Sequence, residues 1–197
     1  MARLTALITG ASSGIGAELA KLCAAEGHSL VLVARRAPPM EALADSLARD
    51  HAVEARVLAA DLADPAAREA IREQLGQTPI DILINNAGFG LQGPYAETDW
   101  AAEARMIEVN VTAVAHLTKL FLPAMLARRS GRILNVASTA AFVPGPFMSV
   151  YYASKAFVVS FSHAIAAETK GTGVTVTVLC PGPTTTGFFE AAGMHSS

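Results

Sequence analysis

The sequence predicts an α/β fold: one domain over residues 1–197, built as a doubly wound parallel sheet between two helical layers, three layers in all. Three observations predict it. Short β-branched runs alternate with longer amphipathic stretches almost from end to end. The short runs are densely apolar, as strands covered on both faces require. A glycine-rich turn joins the first run to the first amphipathic stretch, which is where such folds open a ligand site. With 52% hydrophobic and 16% charged residues, the chain has material for a single well-buried core.

The elements follow in order. The first strand is expected at residues 4–9. Ile15, Leu19, Leu22 and Cys23 then recur at helical spacing, and Gly27 stands where a left-handed cap closes a helix. Residues 29–34 read as the second strand, and Met40, Leu43 and Leu47 mark a second helix opened by Pro38 and Pro39. A third strand at 53–59 precedes Asp64-Pro65, a cap followed by a first-turn proline. Residues 82–85 are the fourth strand, and 97–110 and 112–129 are read as two separate helices, with Pro123 placed to kink the second. A fifth strand at 132–137 leads to a helix at 149–169 expected to bury Val150, Phe157, Phe161 and Ile165, and a sixth strand covers 174–180.

The turn reads Thr9-Gly10-Ala11-Ser12-Ser13-Gly14-Ile15-Gly16. Glycine permits positive φ and close backbone approach, while the amides and dipole of the following helix favour an anion. A strand before, a helix after and a βαβ series downstream make this a pyrophosphate loop of the Rossmann type, so a dinucleotide is the expected cofactor. Gly10, Ser12, Ser13, Gly14, Ile15 and Gly16 are its candidate contacts. The second strand ends at Arg35-Arg36, facing the adenine ribose in such a fold. Arginine there favours a 2′-phosphate, so NADP(H) is preferred, with NAD(H) as the alternative; the competing reading is a pair of solvated loop charges. Asp61-Leu62 follows the third strand, where the carboxylate is placed to accept from the adenine amino group.

Tyr151 and Lys155 are four residues apart on a helix and share one face. Tyrosine titrates at about 10, too high for acid-base work near neutrality. A cation ~6 Å away at an effective dielectric of ~20 favours the phenolate by roughly 3 kcal/mol, about two pKa units, against which desolvation acts. Ser138, at the end of the fifth strand, is placed to hydrogen-bond a substrate oxygen. Tyr152 is a rival for the acid-base role.

TGASSGIG at 9–16, NNAG at 85–88, Ser138, YYASK at 151–155 and Pro181-Gly182 together resemble the short-chain dehydrogenase/reductase family over nearly the whole chain. The resemblance implies that Asn85, Ala87 and Gly88 line the cofactor and that Tyr151 donates or removes a proton. It also implies that Lys155 contacts the nicotinamide ribose, Ser138 orients the carbonyl, and Asn110 holds a water linking Lys155 to solvent. The other reading of Asn110 is a buried tie between helix segments. By the same carry-over, Pro181, Gly182, the Thr184 backbone and the Thr186 hydroxyl lie beside the nicotinamide and pyrophosphate. The implied reaction is hydride exchange between a nicotinamide and a small-molecule carbonyl (ketone or aldehyde) or secondary alcohol, with the substrate itself left open. Family members usually continue past this point through a further strand and helix, so a truncated chain is expected, with its sixth strand an exposed apolar edge. The family commonly forms homodimers or homotetramers.

The charge balance, 15 basic against 17 acidic residues with no basic stripe, argues against nucleic acid as a partner. Cys23 and Cys180 sit in apolar runs as free thiols would, which fits a reducing, cytoplasmic setting. The five histidines show no metal-ligand spacing, and neither a signal peptide nor a membrane span is expected. A cofactor-binding regulatory protein without turnover is the competing function. Among enzymes, sugar-nucleotide epimerases need a larger substrate domain than this chain holds, and enoyl reductases space tyrosine and lysine further apart.

Overall fold

The computed structural model describes residues 3–183. Six parallel strands, β1 (Thr5–Thr9), β2 (Ser29–Ala34), β3 (Ala55–Ala59), β4 (Ile82–Asn85), β5 (Gly131–Val136) and β6 (Val174–Leu179), form one sheet in the order β3-β2-β1-β4-β5-β6. The chain winds outward in both directions from β1 and β4, so the loops leaving these two strands diverge and open a crevice at their C-terminal ends.

Alternate residues of each central strand feed opposite cores. Ala6 and Ile8 of β1 pack with Ala20, Ala24, Met40 and Leu47 of helices α1 (Gly14–Ala25) and α2 (Ala37–His51). Leu7 packs on the other face with Ile71 of α3 (Pro65–Leu75) and with Leu117, Phe121 and Met125 of α5 (Ala113–Arg128). Helix α6 (Ser149–Glu168) lies beside α5, joined through Val158, Val114 and Ala137. Helix ends follow local chemistry: the Asp64 carboxylate accepts from the Ala66 amide at 2.9 Å, and Gly27 takes φ +79° after α1.

Three expectations are corrected. The two helices read at 97–110 and 112–129 are one continuous helix: α4 (Trp100–Ile107) passes through a π-helical turn (Glu108–Thr112) into α5, and Pro123 is carried inside it. The π turn absorbs an extra residue without a break, which puts Val109 and Asn110 on the buried side. This 29-residue helix, Trp100–Arg128, is long and apolar enough by length and composition to cross a bilayer, but Met106, Leu117 and Met125 are core residues. In α6 the buried stripe is Tyr151, Ser154, Lys155, Val158 and Ser162, whereas Phe157 is 37% exposed and stacks on Phe161 at 5.6 Å. The polar groups took the inner face because the site and the sheet offer them partners. Finally, the sheet's outer strands β3 and β6 alternate covered and uncovered residues rather than being buried throughout.

Candidate active site

A cleft of about 840 Å³ occupies the crevice, lined from the glycine turn at one end to Tyr151 and Lys155 at the other. The turn is a backbone cradle. Gly10 holds φ +67° and Gly14 φ +55°, and a Cβ on Gly10 would come within 2.9 Å of the Ala87 Cα. Ser13 opens α1 in extended conformation and makes no side-chain cap bond, so the first turn of α1 faces the cleft without a capping oxygen. That arrangement suits an anion.

Of the residues singled out from sequence, Gly10, Ser12, Ser13, Gly14, Ile15, Arg35, Arg36, Asp61, Leu62, Ala87, Gly88, Ser138, Tyr151, Lys155, Pro181 and Gly182 line the cleft. Thr184 and Thr186 lie outside the described residues. Three expected residues do something else. Gly16 sits behind the turn, where a Cβ would overlap the Gly10 carbonyl; its role is to let α1 approach the loop. Asn85, expected at the cofactor, is buried in the sheet and donates to Asn135 Oδ1 at 2.9 Å and Thr118 Oγ1 at 3.2 Å. Its neighbour Asn86 reaches the cleft instead, donating to the carbonyls of Thr9 (3.0 Å) and Gly10 (3.3 Å). Strand alternation decides this: one step along β4 exchanges the interior for the loop side.

Asn110 is 1% exposed, away from the cleft wall. Its amide donates to the Phe89 carbonyl (2.9 Å) and Ser154 Oγ (3.0 Å), and its oxygen accepts from the Phe89 amide (3.1 Å). It clamps the β4 loop to α6. A Cβ on Gly88 would touch both Asn110 Oδ1 and Lys155 Nζ, at 3.1 and 3.2 Å, so the absent side chain lets the loop pass over both.

Helix geometry sets Lys155 one turn below Tyr151, with its Nζ 5.8 Å from the ring centroid and donating to the Val136 carbonyl at 3.0 Å. Burial pulls Lys155 down from its usual 10.5 to about 8, partly opposed by nearby Cys180. Tyr151 hydrogen-bonds the Ser138 side chain. The expected lowering of the phenol is not what the protein groups produce. Burial pushes Tyr151 up; the Ser138 hydrogen bond opposes this and Tyr152 reinforces it. Lys155 Nζ lies over the ring face, and one of its donors is engaged by the Val136 carbonyl. Ser138 itself is fixed as the cap of the 3₁₀ turn Thr139–Phe142, its hydroxyl accepting from the Ala140 amide at 3.1 Å.

The sequence reading missed several contributors. Thr9 Oγ1 accepts from the amides of Asn86 and Ala87, at 3.0 and 3.1 Å, tying the glycine turn to the β4 loop. Arg105 of α4 lines the cleft and donates to Asp61 Oδ2 at 2.6 Å, although Asp61 was expected to face only an adenine. Burial works to raise the Asp61 carboxyl, but Arg105, the Ala63 amide and the charge of Arg35 outweigh it and hold the group below the ordinary range. Nothing local signals a pairing 44 residues apart. Met148 is buried in the lining, whereas Phe142 and Phe147 are 65% and 61% exposed. Among the described residues no group of three or more His, Cys, Asp or Glu is arranged to hold a metal.

The family model described as short chain dehydrogenase matches residues 4–196. The chain belongs to the short-chain dehydrogenase/reductase family. Among solved structures, a short-chain dehydrogenase from Sphingobium yanoikuyae in complex with NADPH superposes with a TM-score of 0.94 at 38% identity, over 98% of this chain and 75% of that one. The L-sorbose reductase from Gluconobacter frateurii, complexed with NADPH and L-sorbose, gives 0.88 at 33% identity, over 94% and 72%. The ketoacyl reductase HetN of a Nostoc species is 37% identical over 90% of this chain and 62% of its own length. The very-long-chain 3-oxoacyl-CoA reductase of Anas platyrhynchos is 35% identical over 89% and 58%. The chain spans about six-tenths of the length of the curated relatives it matches.

Proposed function

We propose that the chain is an NADP(H)-dependent oxidoreductase that interconverts a carbonyl, ketone or aldehyde, and the corresponding alcohol. The observation that carries this is the single continuous cleft, with an uncapped helix N-terminus and two arginines at one end and Ser138, Tyr151 and Lys155 at the other. Glycine positions that admit no Cβ, an anion-favouring helix start and a cleft of about 840 Å³ suit a dinucleotide. When bound, the nicotinamide supplies or accepts the hydride.

The protein's part is the oxygen's proton and position. Tyr151 holds its proton through neutrality, because burial raises its phenol, and so is set to donate to a carbonyl oxygen as charge develops there. The Ser138 hydroxyl, pinned by the Ala140 amide, offers a second hydrogen bond to that oxygen. Lys155, close to 8, returns a proton to the site and, together with positive charge on an oxidised nicotinamide, favours the phenolate in the reverse direction. Asn110 acts through others: it fixes Phe89 and Ser154, and thereby the loop and helix that meet at Lys155. The apolar residues Phe89, Met148 and Tyr152 favour a carbonyl with a hydrophobic substituent.

The test is a plate assay: purified protein, NADPH or NADH, and a panel of ketones and aldehydes of graded bulk, followed at the cofactor absorbance. The expected result is NADPH consumption with at least one apolar ketone, faster than with NADH. Binding of NADPH with no turnover across the panel would assign a cofactor-sensing role instead.

A further inference from the structure

Among the described residues the cleft is lined by one carboxylate, and its setting is unusual. Asp61 stands between two arginines from different elements: Arg35, beyond β2, acts on it through charge, and Arg105, in the last turn of α4, bonds it directly at 2.6 Å. All three line the cleft, and so does Arg36. Both Asp61 oxygens are engaged, Oδ2 by Arg105 and Oδ1 by the Ala63 amide at 3.1 Å. Arg105 reaches the cleft from the same helix face as Val109, four residues on, and that face is fixed by the π-helical turn.

An unpaired carboxylate here would do two things to a nucleotide. It would repel a 2′-phosphate through charge, and it would compete with that phosphate for the Arg35 guanidinium. A 2′-hydroxyl suffers neither penalty. We propose that Arg105 is a specificity-determining residue for the cofactor: by holding Asp61 it cancels this lining carboxylate and leaves Arg35 and Arg36 to the 2′-phosphate. The inference rests on the NADP(H) reading above and deepens it. It assigns phosphate preference to a residue on α4, an element other than the one that carries the two arginines ending the second strand.

Both partners are about 40% exposed, so solvent screens the pair and its effect is moderate. The experiment is a fluorescence titration of the full chain with NADPH and with NADH, in low and high salt. It compares the native chain with Arg105→Gln, Arg105→Lys, Asp61→Asn and the double variant Arg105→Gln/Asp61→Asn. The readout is the ratio of the two dissociation constants within one preparation, which is insensitive to the fraction of folded protein. Arg105→Gln is expected to cut the preference for NADPH about fivefold to tenfold, and less so at high salt. Arg105→Lys should keep the ratio within about twofold, and the double variant should restore it, because the charge that repelled the phosphate is gone. A ratio unchanged in Arg105→Gln, or one that the double variant fails to recover, would overturn the inference while leaving NADPH binding intact. If the native chain binds neither dinucleotide, the functional reading itself falls and this inference with it.

Discussion

The two halves of the sheet build their ends of the cleft by different means. On the β1-β2-β3 side the site is made of backbone: Gly10 and Gly14 at positive φ, an uncapped helix start, and Gly16 allowing α1 to close on the loop. On the β4-β5-β6 side it is made of buried polar side chains: Asn110 clamping Phe89 and Ser154, Asn85 joined to Asn135, and Lys155 on the Val136 carbonyl. A backbone cradle tolerates changes of side chain but no added Cβ. A side-chain scaffold tolerates small shifts of backbone but no lost partner, since an orphaned buried polar group costs about 1–3 kcal/mol.

The largest effect that would sharpen this contrast comes from Lys155. Because the fold lowers this group from 10.5 to about 8, the unfolded chain binds more protons between those pH values, and native stability rises with pH across the window. The cost is fully present below pH 8 and gone above 10.5; the size of the depression makes it roughly 3 kcal/mol. Lys155→Met removes this cost but strands the Val136 carbonyl, so the prediction is the pH dependence: the native chain should gain roughly 3 kcal/mol on Lys155→Met as pH rises from 7 to 10.5. Denaturation series at several pH values check this, and a gap independent of pH would refute the buried-charge account.

Next in size is Gly16→Ala, whose new Cβ would meet the Gly10 carbonyl group. Overpacking of this kind costs ~2–3 kcal/mol, and displacement of the loop should weaken NADPH roughly 30-fold to 100-fold by titration. Asn110→Leu, of similar volume, strands the Phe89 amide and carbonyl and Ser154. It is expected to lose about 2 kcal/mol by denaturation and to slow turnover more than it weakens NADPH binding. Equal loss of both would break the distinction between the halves. Smallest is Phe142→Ser, at a residue 65% exposed, where stability should change by less than ~0.5 kcal/mol.

The same contrast explains what could be read from the sequence. The positions of the six strands, the glycine turn and the one-turn spacing of Tyr151 and Lys155 rest on local spacing, and each lies where local rules place it. What escaped depends on distant partners. Asn110 and Ser154 are 44 residues apart, as are Arg105 and Asp61, and no periodicity marks either pair. The apolar residues of α6 misled for a related reason. Phe157 and Phe161 form the more hydrophobic stripe, yet Tyr151, Ser154, Lys155 and Ser162 are drawn inward by Val136, Asn110 and Asn135. Asn85 and Asn86 differ by a single step of strand register, which a motif of two identical residues cannot show.

The most direct measurement is Tyr151→Phe, assayed for NADPH binding and for carbonyl reduction in the same preparation. If the cradle binds and the side-chain scaffold reacts, the dissociation constant should stay within about threefold while turnover falls by roughly 10²-fold to 10⁴-fold, the usual range for a general acid. Turnover that survives the loss of this one hydroxyl would contradict the assignment of Tyr151 as the proton donor.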